Sequence, residues 1–284
     1  MRNIESGHFP LIVTGASGRT GRMLRAVWGN RLSGRPILWS ARKPAQDIDI
    51  AWNIGEDPSP DLPSGAIFLH LAGQTQGDAL RLAENCRSAG TLCKAARAAD
   101  ARQVFLMSSV AVYRPSPLPI SEDVAPDPIS DYGRAKREAE LAARAEFPGV
   151  TLLRLGNLAG ADSLLTAARR GPVTLDPIDG MPGGPERSYI GPGVLAATLA
   201  ALIDRAAAGD SLPETINVAQ HPALAMADLL QAAGADWRFG PPRAQAVPRV
   251  AVSVERLAAL VDLPAASAAG IIADLLTLQG RWPC

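Results

Sequence analysis

Three stretches of this chain hold residues whose types and spacing could do chemistry together. In Ser130-Asp131-Tyr132-Gly133-Arg134-Ala135-Lys136 a phenol and an amine stand four residues apart, so on a helix they share one face. A phenol with its ordinary pKa of about 10 is a poor base at neutral pH. A neighbouring ammonium favours the phenolate, which would make Tyr132 usable as a general acid or base. On its own a Y-x-x-x-K spacing is common on helices and usually structural. The second stretch is V-F-L-M-S-S followed by V-A-V-Y, which puts Ser109 just past the end of a strand, where open parallel sheets bind ligands. Its hydroxyl could orient a carbonyl or alcohol beside Tyr132, although Ser108 or Ser109 taken singly reads as a satisfied turn hydroxyl. The third stretch is Thr14-Gly15-Ala16-Ser17-Gly18-Arg19-Thr20-Gly21, between an expected strand and an expected helix. There Gly15 would allow the tight turn, Gly18 the close approach of a pyrophosphate, and Gly21 the packing of helix on strand. The helix N-terminus would offer free N–H groups to the anion.

Those residues need a scaffold, and the pattern supplies one. Strands are expected at 9–14, 37–40, 66–71, 103–108 and 150–155, with helices at 19–31, 78–99 and 130–145 and a Pro-rich loop at 57–64. Ser130 or Asp131 would cap the helix that carries Tyr132. Apolar runs alternating with helices imply parallel strands, hence an α/β fold with a Rossmann-type doubly wound sheet. Residues 171–193 are dense in Gly and Pro and should be loops with at most short strands. A helix at 194–208 and a strand at 215–218 return to the sheet. The tail should hold two or three short helices and a strand near 246–252. The expected division is a dinucleotide-binding domain over 1–156, rejoined by 188–220, and a small C-terminal substrate lobe from 157–187 and 221–284.

The acidic residue that commonly meets the adenosine ribose after the second strand is missing. Ser40 stands near that place, with Arg42 and Lys43 after it and Arg19 within reach from the glycine turn. A guanidinium suits a 2′-phosphate, so NADP(H) is favoured over NAD(H), against the alternative that Arg42 and Lys43 decorate a solvated loop.

Composition narrows the class. The 284 residues are 47% hydrophobic and 20% charged, with 28 basic and 28 acidic side chains, so no net field draws the chain to nucleic acid or anionic lipid. The opening residues lack a signal-peptide core, and the most apolar run, Val194 to Ile203, is about half of a membrane span. Cys86 and Cys93 are seven apart on a helix, too far for a disulfide, and three cysteines with only His8, His70 and His221 argue against structural zinc. A reduced, cytoplasmic setting without metal is expected.

Taken in order, the motifs resemble the extended short-chain dehydrogenase/reductase family, also called the NAD-dependent epimerase/dehydratase family. They are Gly15-x-x-Gly18-x-x-Gly21, His70 to Gly73 (H-L-A-G), Asn85 with Gly90-Thr91, Ser108 to Tyr113, Tyr132 to Lys136, Arg154 to Gly160 (R-L-G-N-L-A-G) and Arg187 to Ile190 (R-S-Y-I). The resemblance implies that Tyr132 is the acid/base, that Lys136 holds the nicotinamide ribose and tunes Tyr132, and that Ser109 takes the serine/threonine role. It implies a cofactor set of Gly15, Ser17, Gly18, Arg19, Thr20, Gly21, Ser40, Arg42, Leu71, Ala72 and Gly73, with Leu155 and Asn157 flanking the nicotinamide. Asn157 and Arg187 would contact substrate phosphates, Arg187 being otherwise a surface ion-pairing residue. The helices at 78–99 and 130–145 resemble those that form a dimer interface in relatives, so a homodimer is expected.

The chain departs from the family in three ways: the missing acid, a short segment before Ala66 where one strand would be absent or irregular, and a small lobe. The G-R-T-G turn also resembles that of NmrA-like members, some of which sense NADP without catalysis. The reading is therefore an NAD(P)-dependent oxidoreductase or epimerase acting on a small molecule such as a nucleotide sugar. The alternative is a non-catalytic NADP-binding regulator.

Overall fold

The computed structural model describes residues 9–56 and 59–278; His8, Asp57 and the end of the expected lobe from 279 lie outside them. The first half runs β1 (Leu11–Thr14), α1 (Arg19–Trp28), β2 (Arg31–Leu32), β3 (Arg35–Ala41), β4 (Ile50–Ala51), β5 (Ile67–His70), α2 (Ala79–Ala98), β6 (Gln103–Ser109), α3 (Asp131–Glu146) and β7 (Thr151–Leu155). A 3₁₀ turn, Val110–Val112, follows β6. The second half runs β8 (Asn157–Leu158), α4 (Ser163–Ala168), β9 (Val173–Leu175), β10 (Glu186–Arg187), β11 (Tyr189–Ile190), α5 (Pro192–Ala208), β12 (Thr215–Val218), β13 (Leu224–Ala225), α6 (Met226–Ala232), β14 (Trp237–Phe239), β15 (Arg249–Val250), α7 (Glu255–Ala258) and α8 (Ala268–Leu276).

The main sheet has the order β12-β7-β6-β5-β1-β3, all parallel, with β2 antiparallel and β4 parallel to β3 at its outer edge. Every residue of β1, β5 and β12 is buried, as expected of strands covered on both faces. The period of two sorts the side chains cleanly. Leu11, Val13, Ile67, Leu69, Phe105, Met107 and Leu153 pack with Met23 and Leu24 of α1 and with Leu195, Leu199 and Leu202 of α5. Ile12, Phe68, Val104, Leu106 and Leu152 pack on the other face with Ala89, Leu92 and Ala96 of α2 and Ala139 and Ala143 of α3. The sheet is thus wound by helices on both sides, the expected α/β architecture.

Three expectations are corrected. The helix expected to reach Arg31 stops at Trp28, because Gly29 turns at φ +60 and the chain enters the β2–β3 hairpin through Ser33 and Gly34. The strand suspected of being irregular survives as two residues of β4, reached from β3 without a crossover helix. The strand expected over 246–252 shrinks to β15, which pairs with β10 in a small three-stranded sheet. Beyond β7 the chain otherwise makes only short pairs, β8 with β11 and β9 with β14, before and after β12 rejoins the main sheet. The Asp274 carboxylate on α8 accepts from Gly193 N (3.0 Å) and Val194 N (3.1 Å), capping α5 from a distant part of the chain. Among the described residues no helix is long and apolar enough to cross a membrane.

Candidate active site

The sheet order reverses at β1, which has β3 on one side and β5 on the other, and a crevice opens beyond the strand ends there. Gly15 leaves β1 at φ +77, and a Cβ on it would lie 2.6 Å from Ala72 N, so the turn after β1 is pressed against the turn after β5. A Cβ on Gly21 would strike the Gly15 carbonyl oxygen, which lets α1 sit on the turn itself. Gly18 is the N-cap of α1, with no side chain bonded to the helix N–H groups and no acid in the first turn. By contrast Asp78, Ser130, Asp274 and Ser267 cap α2, α3, α5 and α8. The open amides of α1 therefore suit an anion.

A cleft of about 350 Å³ runs from this turn toward the β3 edge. Of the residues expected to hold a cofactor, Gly15, Ser17, Gly18, Ser40, Arg42, Leu71, Ala72 and Gly73 line it. The Ser40 hydroxyl is buried there with no hydrogen-bond partner. Trp52, Asn53 and Glu56 after β4, and Glu84, Arg87 and Ser88 on α2, form the remaining wall. No motif in the sequence marks that wall. Thr20 and Gly21 lie in α1 behind the turn. Arg19 points elsewhere than expected: its guanidinium reaches Thr75 Oγ1 (3.5 Å) and acts on Tyr132 rather than lining the cleft with Ser40 and Arg42.

The chemical trio comes together. Ser130 caps α3 by accepting from Gly133 N (3.0 Å), which fixes the start of the helix at Asp131, one residue before Tyr132. A Cβ on Gly133 would collide with the Ala111 carbonyl oxygen, so this glycine seats the start of α3 on the 3₁₀ turn after Ser109. Ser109 lies close enough to Tyr132 to act on its phenol, and its Oγ accepts from Ala111 N (3.1 Å). Lys136 Nζ is buried and donates to the Met107 carbonyl (2.9 Å). Gly73 leaves room for it: a Cβ there would stand 3.0 Å from both Lys136 Nζ and Asn85 Oδ1. Asn85, buried on α2, in turn holds the loop by bonding Gln74 N (2.6 Å) and Gln74 O (3.0 Å).

The electrostatics depart from the simple expectation. Burial pushes the Tyr132 phenol up, and the influences pulling it down are the Ser109 hydrogen bond and the Arg19 charge, not Lys136. Burial brings Lys136 down to about 8, opposed by Glu140.

Of the expected substrate-side residues, Asn157 begins β8, its N bonded to Ser188 O (2.8 Å), and Leu155 ends β7. The Arg187 guanidinium lies half-buried in β10 and donates to the carbonyls of Glu186 (2.7 Å) and Val247 (3.0 Å). Those bonds are a structural use of Arg187 that spacing did not anticipate.

Sequence comparison finds a partial likeness to a known family. Residues 67–172 match the NAD dependent epimerase/dehydratase family. The epimerase/dehydratase segment begins at β5 and includes Ala72, Gly73, Ser109, Tyr132, Lys136, Leu155 and Asn157; the glycine turn lies before it and stands on its own geometry. No curated protein gives a significant sequence match. Solved structures share the whole fold. TunA, an NAD dependent NDP-hexosamine 5,6-dehydratase of tunicamycin biosynthesis, is 20% identical with a TM-score of 0.74, covering 97% of this chain and 99% of its own. MoeE5 in complex with UDP-glucuronic acid and NAD is 20% identical with a TM-score of 0.73, covering 96% and 99%. A short-chain dehydrogenase/reductase superfamily protein from Agrobacterium tumefaciens with bound NAD is 17% identical with a TM-score of 0.75, covering 96% and 97%.

Proposed function

We propose that this chain is an NAD(P)-dependent oxidoreductase, epimerase or dehydratase whose substrate is a nucleotide sugar or a similar small hydroxylated molecule. The observation that carries the reading is the meeting of the start of α3, with Tyr132 and the buried Lys136, and the turn that holds Ser109, at Gly133 against the Ala111 carbonyl. The family match over 67–172 and the UDP-sugar complex of the MoeE5 relative support it.

The residues present fit a dinucleotide. Gly15 and Gly21 make a cradle that any side chain would fill, α1 presents uncapped amides, and Ser40 offers an unsatisfied buried hydroxyl. Gly15, Ser17, Gly18, Thr20 and Gly21 would hold the pyrophosphate, Leu71 to Gly73 the adjoining face, and Leu155 and Asn157 the nicotinamide end. Ser40, Arg42 and Arg87, with no carboxylate at the end of β3, favour the 2′-phosphate of NADP(H), although the neighbours above carry NAD. When bound, the nicotinamide accepts or supplies the hydride. Tyr132 would exchange the proton of the reacting hydroxyl, Ser109 would orient that oxygen, and Lys136 would donate to the ribose. Asn157 and Arg187 would face the substrate across the cleft from β6.

In this reading the dinucleotide-binding domain comprises 1–156 with 188–220, and the substrate lobe comprises 157–187 with 221–284. Two copies would meet through α2 and α3, in the cytoplasm.

The test is turnover and cofactor affinity measured on one preparation. NADPH should bind more tightly than NADH, and Tyr132→Phe should lower kcat about 100- to 10,000-fold on a nucleotide-sugar panel while leaving the cofactor Kd unchanged. Retained turnover in Tyr132→Phe, or binding of neither cofactor, overturns the reading.

A further inference from the structure

Beneath the trio lies a charge cluster that the proposed chemistry does not use. Glu140, one turn after Lys136 on α3, is fully buried. It accepts a two-pronged contact from Arg154 on β7, Nε to Oε1 at 2.9 Å and Nη2 to Oε2 at 2.8 Å. Ser108 Oγ donates to the same carboxylate at 2.6 Å, and Arg137 approaches it at 3.4 Å. The cluster continues outward: Arg154 Nη1 donates to Tyr113 Oη (2.8 Å), and that phenol donates to Asn217 Oδ1 on β12 (3.0 Å). Two residues of the trio are therefore one position or one helical turn from a member of this chain of bonds. Ser109 follows Ser108 and precedes Tyr113 by four, and Lys136 precedes Glu140 by four.

A buried ion pair is a weak source of stability, because desolvation offsets most of the attraction. Its presence under a reactive site calls for another use. Lys136 is an amine with no carboxylate bonded to it, in a place where burial favours the neutral form. Among the described residues, His70 from β5 and Glu140 on its own helix act on Lys136, the Met107 carbonyl of β6 bonds it, and the Asn85 amide of α2 shares the space at Gly73. His70 is held neutral by burial, with its pKa lowered to about 3, and the group that favours the ammonium form of Lys136 is Glu140.

We propose that Glu140, clamped by Arg154 and Ser108, is a positioning residue that holds Lys136 in place as an ammonium ion. The idea rests on the role given to Lys136 above, but it can be measured without any substrate or cofactor. The sequence contains only three lysines, Lys43, Lys94 and Lys136. In protein labelled with ¹³Cε-lysine, each gives its own NMR signal, and Lys136→Arg assigns the buried one.

The wild-type Lys136 signal should titrate with a midpoint of about 8. Glu140→Gln should lower that midpoint by roughly one pH unit or more, the scale of removing one nearby opposite charge. Because Glu140→Gln strands the Arg154 charge and could unfold the chain, the double variant Glu140→Gln/Arg154→Met removes both charges; its midpoint should fall as well. Ser108→Ala keeps the carboxylate charge while deleting one of its bonds, so it should leave the midpoint in place even where it lowers Tm. An unchanged midpoint in the glutamine variants, or an equal shift in Ser108→Ala, overturns the proposal. Failure of wild-type protein to bind NADPH or NADH would strike the cofactor reading alone, since the NMR midpoint is read without either.

Discussion

His70 stands at the end of β5 with Nδ1 2.7 Å from Thr14 Oγ1 and its Nε2 buried without a partner. Burial first, and then the Lys136 charge, bring its pKa down from 6.5 to about 3. At pH above 6.5 the ring is neutral in both folded and unfolded chains and costs nothing. As pH falls from 6.5 toward 3 the unfolded chain takes up a proton that the folded chain refuses, so stability is lost through that window, by on the order of 5 kcal/mol at its foot. A His70→Gln variant should show a flatter decline of unfolding free energy between pH 6.5 and 3 in urea titrations. A decline identical to wild type would mean that the ring is accessible to protons in the fold. The same scale shows what a residue's surroundings do to a simple rule. Tyr132 and Lys136 share the first turns of α3 as their spacing implies, yet the phenol responds to Ser109 and Arg19, while burial brings the amine down to about 8.

Helices and turns decide whether those side chains can meet. The start of α3 touches the turn after β6 at Gly133, where a methyl group has no room against the Ala111 carbonyl. Gly133→Ala should cost about 1–3 kcal/mol, the usual range for overpacking, and should part Tyr132 from Ser109. The measurement is kcat beside a melting curve, both at a temperature where the variant is fully folded. Normal kcat in a destabilised variant would show that the contact serves the fold alone. Element boundaries were legible to within a few residues wherever a run was long or capped: α2, α3, β6 and β12 fall where their apolar patterns put them. The cleft wall from Trp52 to Ser88 was not legible, because it joins a loop to the middle of a helix and no local pattern records that meeting. Neither was the Glu140–Arg154 pair. What the sequence lacked was the information that β7 would deliver an arginine to Glu140.

Across the whole molecule the parallel sheet couples distant parts of the chain. β12, far along the sequence, pairs with β7 over four residues and carries the Asn217 that bonds Tyr113, so the site's underpinning spans residues 108 to 217. The doubly wound order was legible because its strands are short and apolar and alternate with helices; the small pairs of β8 to β11 and β13 to β14 were not, since strands of two or three residues are set by their partners rather than by their own composition. Between α5 and β12 the chain surfaces, and residues 208–211 are all exposed. On one side α5 is fastened by Asp204 to Arg35 and by the Ala206 carbonyl to Arg102 Nε (3.2 Å), and on the other β12 is locked into the sheet. The covalent link there is thus mechanically redundant. A single cut within 208–211 should leave two pieces that stay bound through gel filtration, and two fragments made separately in one cell should find each other and restore the fold. Nature's continuous thread could here be exchanged for a split protein, whose halves report on whether they have met.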